Sequence, residues 1–175
     1  MIWWIIAFGL VAMAFKANLG GITDTAGSGV SILGRLIGFD PSRLTHPGAN
    51  EEQDILAVSA QSGVDPRLIA AIRMSENGGP GKQYGILDIG ANTLDAQLQG
   101  AANTIKHFLS AYTNDTGVLP IGDDGRYTPD FIYYVANGGP SHGGWAPINA
   151  SNDPTHLNEN WISNVLNNYW SIEVA

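Results

Sequence analysis

The first fifteen residues, MIWWIIAFGLVAMAF, contain no ionisable side chain, and this limits where the N-terminus of the chain can lie. Continued to Ile22, the run reaches roughly the 20 residues that span the hydrocarbon core of a bilayer, if Lys16 snorkels towards water. Trp3 and Trp4 would then lie at one interface, where indole rings are enriched. We therefore predict that residues 1–22 form a transmembrane or membrane-anchoring helix.

Two other interpretations of this apolar segment stay open. The triplet Ala12-Met13-Ala14 resembles the cleavage site of a signal peptide, although the usual basic stretch before the apolar core is missing. A helix buried in the protein core would also be apolar. The side of the membrane is weakly specified, since only Lys16 and Arg35 follow the segment to favour the inner face.

The remainder of the chain divides into a short connecting segment and one domain. Residues 23–50 are rich in Gly, Ser, Thr and Pro, which is typical of a linker or a loosely packed arm. An N-terminal extension that wraps the domain has the same composition. The chain of 175 residues is long enough for one domain with a core, which we place at residues 51–175.

Composition excludes several classes of function. The net charge of -8 and the presence of only 8 basic residues argue against binding to nucleic acid. The absence of cysteine excludes disulfides, thiol nucleophiles and thiolate metal sites. The four histidines lack the spacing of a zinc site, and Asp123-Asp124-Gly125 suits a turn better than a calcium loop. We therefore expect neither a metal nor a cofactor.

Helix start and stop signals predict a mostly α fold. Acidic residues and Pro mark the starts of helices, and Gly marks their ends. The longest predicted helix, from a cap at Asn92 or Thr93 to about Tyr112, is expected to be the central one. The predicted helices cover residues 51–62, 66–76, 94–112, 129–137 and about 160–169.

Glu76 stands at an unusual place for a carboxylate. It ends a largely apolar helix and is followed directly by the helix-breaking sequence Asn-Gly-Gly-Pro-Gly. The C-terminal end of a helix carries partial negative charge, and both this charge and burial raise the pKa of a carboxyl group. A carboxyl that keeps its proton can act as a general acid. The ordinary alternative is an exposed Glu at a frayed helix end.

The string LIAAIRMSENGGPGKQYGIL, residues 68–87, resembles the catalytic region of the lytic transglycosylases and related goose-type lysozymes of bacteria and bacteriophages. In that family a helix ends at the catalytic Glu, a loop follows, and a G-L-M-Q-like segment packs behind the acid. Glu76 and Gly85-Ile86-Leu87 match these places. Asn77 replaces the usual Ser after the Glu, and Asp88 replaces the final Gln.

A second stretch supports this resemblance. The sequence VANGGP at residues 135–140 is similar to the family element A-Y-N-A-G-P, with the tyrosine displaced to Tyr133 or Tyr134. The likeness extends less specifically over about residues 51–170. It implies that the predicted domain has a lysozyme-like fold.

The resemblance implies cleavage of the β-1,4 bond between N-acetylmuramic acid and N-acetylglucosamine in peptidoglycan, with Glu76 as the catalytic residue. Glu76 would give its proton to the glycosidic oxygen and then take one from the muramoyl 6-hydroxyl. One tyrosine would hydrogen-bond the acid, and the asparagine would hold the acetamido group. The implied substrate-binding residues are Tyr84, Gly85, Tyr133, Tyr134 and Asn137.

A hydrolytic lysozyme is the nearest alternative. An inverting hydrolase needs a base about 6.5–9.5 Å from the acid to activate water. Asp88 and Asp95 are the candidates for this secondary carboxylate, although Asp also favours loops and helix starts. Chitin, another polymer of N-acetylhexosamine, is a further possible substrate.

A non-catalytic interpretation also stays open, in which the chain is a membrane-anchored structural or glycan-binding protein of a virion. Trp145, Trp161 and Trp170 would line a sugar groove in either role, or belong to the core. The expected partners are peptidoglycan strands, a lipid bilayer bound through residues 1–22, and other virion or envelope proteins. The expected location is a membrane-containing virion or the bacterial envelope.

Overall fold

Helices form most of the structure, a computed structural model that describes residues 34–86, 91–140, 142–148, 150, 151, 153 and 158–175. The mostly α prediction is therefore confirmed for the described part of the chain. Its helices are α1 (Glu51–Ser62), α2 (Pro66–Glu76), α3 (Leu94–Thr116), α4 (Pro129–Asn137) and α5 (Asn158–Ser171).

The helix ends lie where local chemistry places them. The side chain of Asp65 caps α2 by accepting a hydrogen bond from the Arg67 amide, and Pro66 fills the first helical position. At the other end Asn77 adopts a left-handed backbone with φ of 41°. The helix α3 runs to Thr116, farther than the predicted end near Tyr112, since no residue before Gly117 breaks it.

Four two-residue strands form two antiparallel ribbons. Strand β1 (Leu36–Ile37) pairs with β4 (Glu173–Val174), so the ribbon joins the two ends of the described body. Strand β2 (Gly138–Gly139) pairs with β3 (His142–Gly143) directly after α4. The second ribbon turns the chain back towards the end of α2.

The described part of the connecting segment packs on the helices as an arm. Leu36, Phe39 and Leu44 are buried in the core, and the Thr45 amide donates a 2.7 Å hydrogen bond to the Asn77 side chain. The folded body thus includes residues before the predicted boundary at 51. The predicted anchor over residues 1–22 lies outside the described residues, and within them no helix is long and apolar enough to cross a membrane.

The central helix is α2, which corrects the expectation for α3. Residues 68–73 of α2 are all fully buried, so the helix is surrounded on every side. Leu68, Ile69 and Ile72 each contribute about 1.5–3 kcal/mol by this burial. The helix α3 is longer but amphipathic, with one exposed face. Since α2 packs most extensively against α5, the two helices together fix the position of Glu76.

Candidate active site

The carboxyl group of Glu76 is held by two tryptophans. The indole N–H of Trp161 donates a 2.7 Å hydrogen bond to Oε1 of Glu76, and the indole N–H of Trp145 donates a 3.1 Å bond to the same oxygen. Among the described residues, Oε2 receives no hydrogen bond and no cation is paired with the carboxyl group. Glu76 is therefore oriented by neutral donors alone, with one oxygen left for another partner.

The surroundings of Glu76 favour its protonated form. Partial burial raises the pKa of the Glu76 carboxyl group, and the hydrogen bonds from Trp161 and Trp145 oppose the rise without cancelling it. The position at the last residue of α2 acts in the same direction as burial, since helix C-termini disfavour negative charge. This environment suits a group that must give up a proton near neutral pH.

Gly85 makes room for the acid. A side chain at this position would begin 2.4 Å from Cδ of Glu76, which is far inside van der Waals contact. The backbone of Gly85 also has φ of 72°, a conformation that other residues rarely adopt. Both constraints bring the loop backbone directly against the carboxyl group.

A buried glutamine holds this loop in place. The side-chain oxygen of Gln97 accepts hydrogen bonds from the amides of Tyr84 and Ile86, each 3.2 Å long. Its side-chain nitrogen donates to the carbonyls of Ile86 and Ala91, at 2.5 and 2.6 Å. Because Gln97 is completely buried in α3, the loop next to Glu76 is fastened to a helix.

An open groove of about 190 Å³ lies beside the acid. Gly85, Ile86, Thr104 and Trp145 line it. Two of these, Gly85 and Trp145, are also the residues that touch or hydrogen-bond the Glu76 carboxyl group. A molecule in the groove would therefore contact the aromatic ring of Trp145 and lie next to the two residues that hold the Glu76 carboxyl group, which is a suitable arrangement for a sugar.

Backbone hydrogen bonds fix the position of Trp145. Its amide donates to the carbonyl of Val135 at 2.8 Å, and the next amide, of Ala146, donates to the carbonyl of Ala136 at 2.9 Å. The segment is thereby bound to the last turn of α4. The indole rings of Trp145 and Trp161 stack at 6.3 Å between centroids, which aligns both N–H groups on one oxygen.

The predicted tyrosine partner of Glu76 is replaced by the two tryptophans. The hydroxyl group of Tyr134 donates instead to Oδ2 of Asp115 at 2.6 Å. Tyr133 is 48% exposed on the outer face of α4. A tyrosine two residues from the family position therefore points away from the acid, because two residues rotate a helix by about 200°.

The other predicted residues have different positions. Tyr84 is fully buried with its hydroxyl group 3.5 Å from Oε1 of Glu51, so it cannot contact a substrate as expected. Asn137 donates to the Tyr133 carbonyl and accepts from the Ile148 amide, which braces the segment around Trp145. Its predicted role towards an acetamido group stays a prediction.

Of the two candidate secondary carboxylates, the structure describes Asp95 alone. Asp95 is exposed in the first turn of α3, where a helix N-terminus stabilises negative charge. Asp88 lies outside the described residues. In the part of the chain that the structure describes, no group of three or more His, Asp and Glu side chains is arranged to hold a metal ion.

The tryptophans at the site were recognisable by residue type but not by role. The sequence predicts that Trp145 and Trp161 line a groove or belong to the core. Trp145 lines the groove, Trp161 is buried in the core, and each also donates a hydrogen bond to Glu76. Trp170 lies elsewhere, 43% exposed and 5.2 Å from the Arg126 guanidinium group. The sequence signal was two indoles in loop and helix-start positions after the Glu.

No family model matches the chain, and no curated protein or solved structure matches it either. The lysozyme-like fold and peptidoglycan cleavage therefore stay predictions that depend on the sequence motif around Glu76 and on the geometry of the groove.

Proposed function

We propose that the chain is a peptidoglycan lytic transglycosylase with a lysozyme-like domain and Glu76 as its catalytic acid and base. The observation that carries the proposal is the Glu76 carboxyl group, which is partly buried, has no cation as a partner among the described residues, and is in contact with two residues that line a groove. The resemblance of residues 68–87 to lytic transglycosylases supports it independently, since the resemblance depends on sequence alone.

The first step uses the raised pKa of Glu76. A protonated Oε2 donates its hydrogen to the glycosidic oxygen, and the bond between this oxygen and C1 of the muramoyl residue breaks. The leaving sugar departs with a new hydroxyl group. Glu76 becomes a carboxylate, which the indole N–H groups of Trp145 and Trp161 stabilise by donating to Oε1.

The second step returns the proton. The carboxylate of Glu76 accepts the hydrogen of the muramoyl 6-hydroxyl group while this oxygen forms a bond to C1, which closes a 1,6-anhydro ring. No water is consumed, and Glu76 ends protonated as it began. The N-acetyl group of the substrate would stabilise the positive charge at C1 between the steps.

A single carboxylate suffices for this sequence of steps, whereas an inverting hydrolase requires two. Analysis of the products separates the two reactions. The proposal expects muramic acid in the 1,6-anhydro form when purified peptidoglycan is digested. A reducing-end muramic acid without the anhydro form would instead favour the hydrolytic lysozyme.

The decisive variant is Glu76→Gln, which keeps the size of the side chain and an oxygen to accept the indole N–H groups. We expect lysis of purified cell walls, followed as loss of turbidity, to fall by about 10²- to 10⁴-fold. Glu173→Gln serves as the matched control, because Glu173 is an exposed carboxylate at the C-terminal ribbon. Unchanged lysis by Glu76→Gln would overturn the assignment.

The same assay addresses the non-catalytic alternative. A glycan-binding protein of a virion or envelope would bind cell walls without clearing them, so a parent protein that sediments with walls but releases no soluble fragments would favour it. The aromatic wall at Trp145 fits either role. The partly buried acid, which has no cation as a partner in the described part of the chain, favours catalysis, since binding alone does not require it.

We propose that residues 1–22 hold this domain at a membrane, in the bacterial envelope or in a membrane-containing virion. The uncharged run over residues 1–15 supports this location. Separation of gently opened cells or particles tests it. Recovery of the intact chain in the membrane fraction is expected, and recovery only in the soluble fraction would contradict it.

A further inference from the structure

The groove beside Glu76 has one wall on α3. One face of this helix carries four residues at intervals of four, three and eight positions: Gly100, Thr104, His107 and Asp115. A side chain at Gly100 would begin 3.0 Å from Cδ1 of Ile86, which lines the groove, and Thr104 lines it directly. His107 is thus the next side chain along this wall.

The segment that carries Trp145 also carries a second histidine, which lies against His107. His142 in β3 precedes Trp145, the aromatic residue of the groove, by three positions. The imidazole rings of His107 and His142 lie 5.3 Å apart between centroids, with the edge of one directed at the face of the other. Neither histidine lines the groove itself, but His107 lies one helical turn beyond Thr104 on the same face of α3, which places the histidine pair next to the groove.

The hydrogen bonds around His142 determine which ring nitrogen carries hydrogen. The hydroxyl group of Tyr134 donates to Oδ2 of Asp115 at 2.6 Å, and the same hydroxyl oxygen lies 2.8 Å from Nε2 of His142. A hydroxyl group has one hydrogen, and the carboxylate takes it. Nε2 of His142 must then carry a hydrogen and donate it to the tyrosine oxygen.

The chemistry of Tyr134 supports this assignment. Desolvation and the hydrogen bond to Asp115 raise the pKa of Tyr134 to about 12, so the phenol keeps its hydrogen at neutral pH. Gly139 allows the close approach, because a side chain there would begin 2.2 Å from the Tyr134 hydroxyl oxygen. With the hydrogen on Nε2, the neutral form of the imidazole has a bare Nδ1, which can accept a hydrogen bond.

We infer that His107 and His142 form a further sugar-binding position, at which Nδ1 of His142 accepts a hydrogen bond from an N–H or O–H group of an N-acetylhexosamine and His107 packs against the ring. Among the described residues, no group donates a hydrogen bond to Nδ1 of His142. The inference rests on the proposed function, because it concerns a longer glycan bound in the same groove.

The charges around the pair favour an uncharged ligand over an anion. The groups that face His142 are His107 from α3, Tyr134 from α4 and the carboxylate of Asp115, whose Oδ2 lies 4.0 Å from Nε2. The carboxylate and the net charge of -8 both repel an acidic peptide. Sugar hydroxyl and acetamido groups carry no charge and supply the hydrogen that Nδ1 needs.

Glycan strands of defined length test the inference on the full chain, after their peptides have been removed and the freed lactyl carboxyl groups have been amidated so that the strands carry no charge. We expect His142→Ala to raise KM for long strands by about three- to tenfold, the effect of one lost hydrogen bond, with kcat unchanged. The shortest strand that is cleaved would not reach the pair, so its KM should stay the same. His142→Asn should restore most of the binding, since its Oδ1 lies where Nδ1 lay.

Two further variants guard against effects on folding. His107→Ala alters an exposed side chain, and should raise KM for long strands only. Lys106→Ala is the control, because Lys106 is exposed on α3 but rotated by about 100° from His107. Equal changes for short and long strands, or no change in either histidine variant, would overturn the inference. Failure of the parent to cleave strands of any length would instead contradict the proposed function.

Discussion

Glu51 begins α1 and Glu76 ends α2, and the two glutamates differ in what they are bound to. Glu51 is fully buried, and its Oε1 accepts a 2.5 Å hydrogen bond from Nε of Arg73, which is itself fully buried. Its Oε2 accepts a hydrogen bond from the Gly48 amide at 2.9 Å. Glu76 is less buried, and among the described residues its carboxyl group accepts hydrogen bonds only from the neutral N–H groups of two tryptophans.

The contrast shows that the partner, more than the depth of burial, decides what a carboxyl group can do. An arginine beside a buried carboxylate fixes its charge, because the pair has no solvent to replace either partner. Neutral donors orient the group without fixing its charge, so desolvation prevails and the proton stays available. Glu51 therefore has a structural role, whereas Glu76 has the surroundings that the proposed proton transfer requires.

The largest expected effect is on stability at the Glu51 pair. Arg73→Met would leave the Glu51 carboxylate buried without a cation, and should lower the free energy of unfolding by about 3–5 kcal/mol. Denaturation by urea measures this loss. Lys82→Met, an exposed cation in the loop after α2, is the control and should change stability by less than about 0.5 kcal/mol. Similar effects of the two variants would remove the contrast between the glutamates.

A smaller effect is expected at the tryptophans. Trp161→Phe keeps an aromatic ring but removes the 2.7 Å hydrogen bond to Oε1 of Glu76. Because that bond lowers the pKa of Glu76, its loss should raise the pKa further and move the upper limb of the pH–activity profile to higher pH. We expect kcat at neutral pH to fall by about tenfold, since the carboxylate formed in the first step loses a donor.

The control for this variant is Trp170→Phe, because Trp170 lies away from Glu76. Its pH–activity profile should match that of the parent. A shift of the Trp161→Phe profile to lower pH would contradict the role of the indole as a donor to the carboxylate.

The smallest expected effect is the pH dependence of folding. The pKa of Glu76 is raised above its ordinary value of 4.5, so the folded chain holds this proton more tightly than the unfolded chain does. The favourable contribution is complete below pH 4.5 and is lost as pH rises through the folded-state pKa. Glu76→Gln lacks the titrating group and should lose less Tm than the parent between pH 4 and about pH 7.

Melting curves of the parent and of Glu76→Gln across this range measure the difference. Asp123→Asn should follow the parent, since it removes an exposed carboxyl group and leaves Glu76 in place. A parent that gained Tm relative to Glu76→Gln as pH rose would show that the pKa of Glu76 is lowered on folding, which would contradict the rise expected from its burial.

Local sequence signals predicted most helices because their ends depend on neighbouring residues. Asp65 and Pro66 start α2, and the helix ends at Glu76, as expected. Thr128 and Pro129 start α4 by the same chemistry. The end of α3 was predicted too early, because polar residues near a helix end do not stop it until Gly117 supplies a left-handed backbone.

Contacts between distant parts of the chain could not be predicted in this way. Trp145 and Trp161 follow Glu76 by 69 and 85 positions and donate to one of its oxygen atoms. The family motif predicted a tyrosine as the partner of Glu76, because a motif gives positions along the chain and not the directions in which side chains point. The prediction that α3 is the central helix was wrong for the same reason. The length and apolar content of a helix do not show how many of its sides other elements cover.

The sequence by itself determined that the chain is mostly helical and that a glutamate ends one helix before a glycine-rich loop. Both depend on residues within a few positions of one another, where steric preference and capping act. Only the tertiary structure decided that Glu76 has indole partners while Glu51 has an arginine. The protonation of a carboxyl group depends on every charge and donor around it, and packing brings these together from the whole chain.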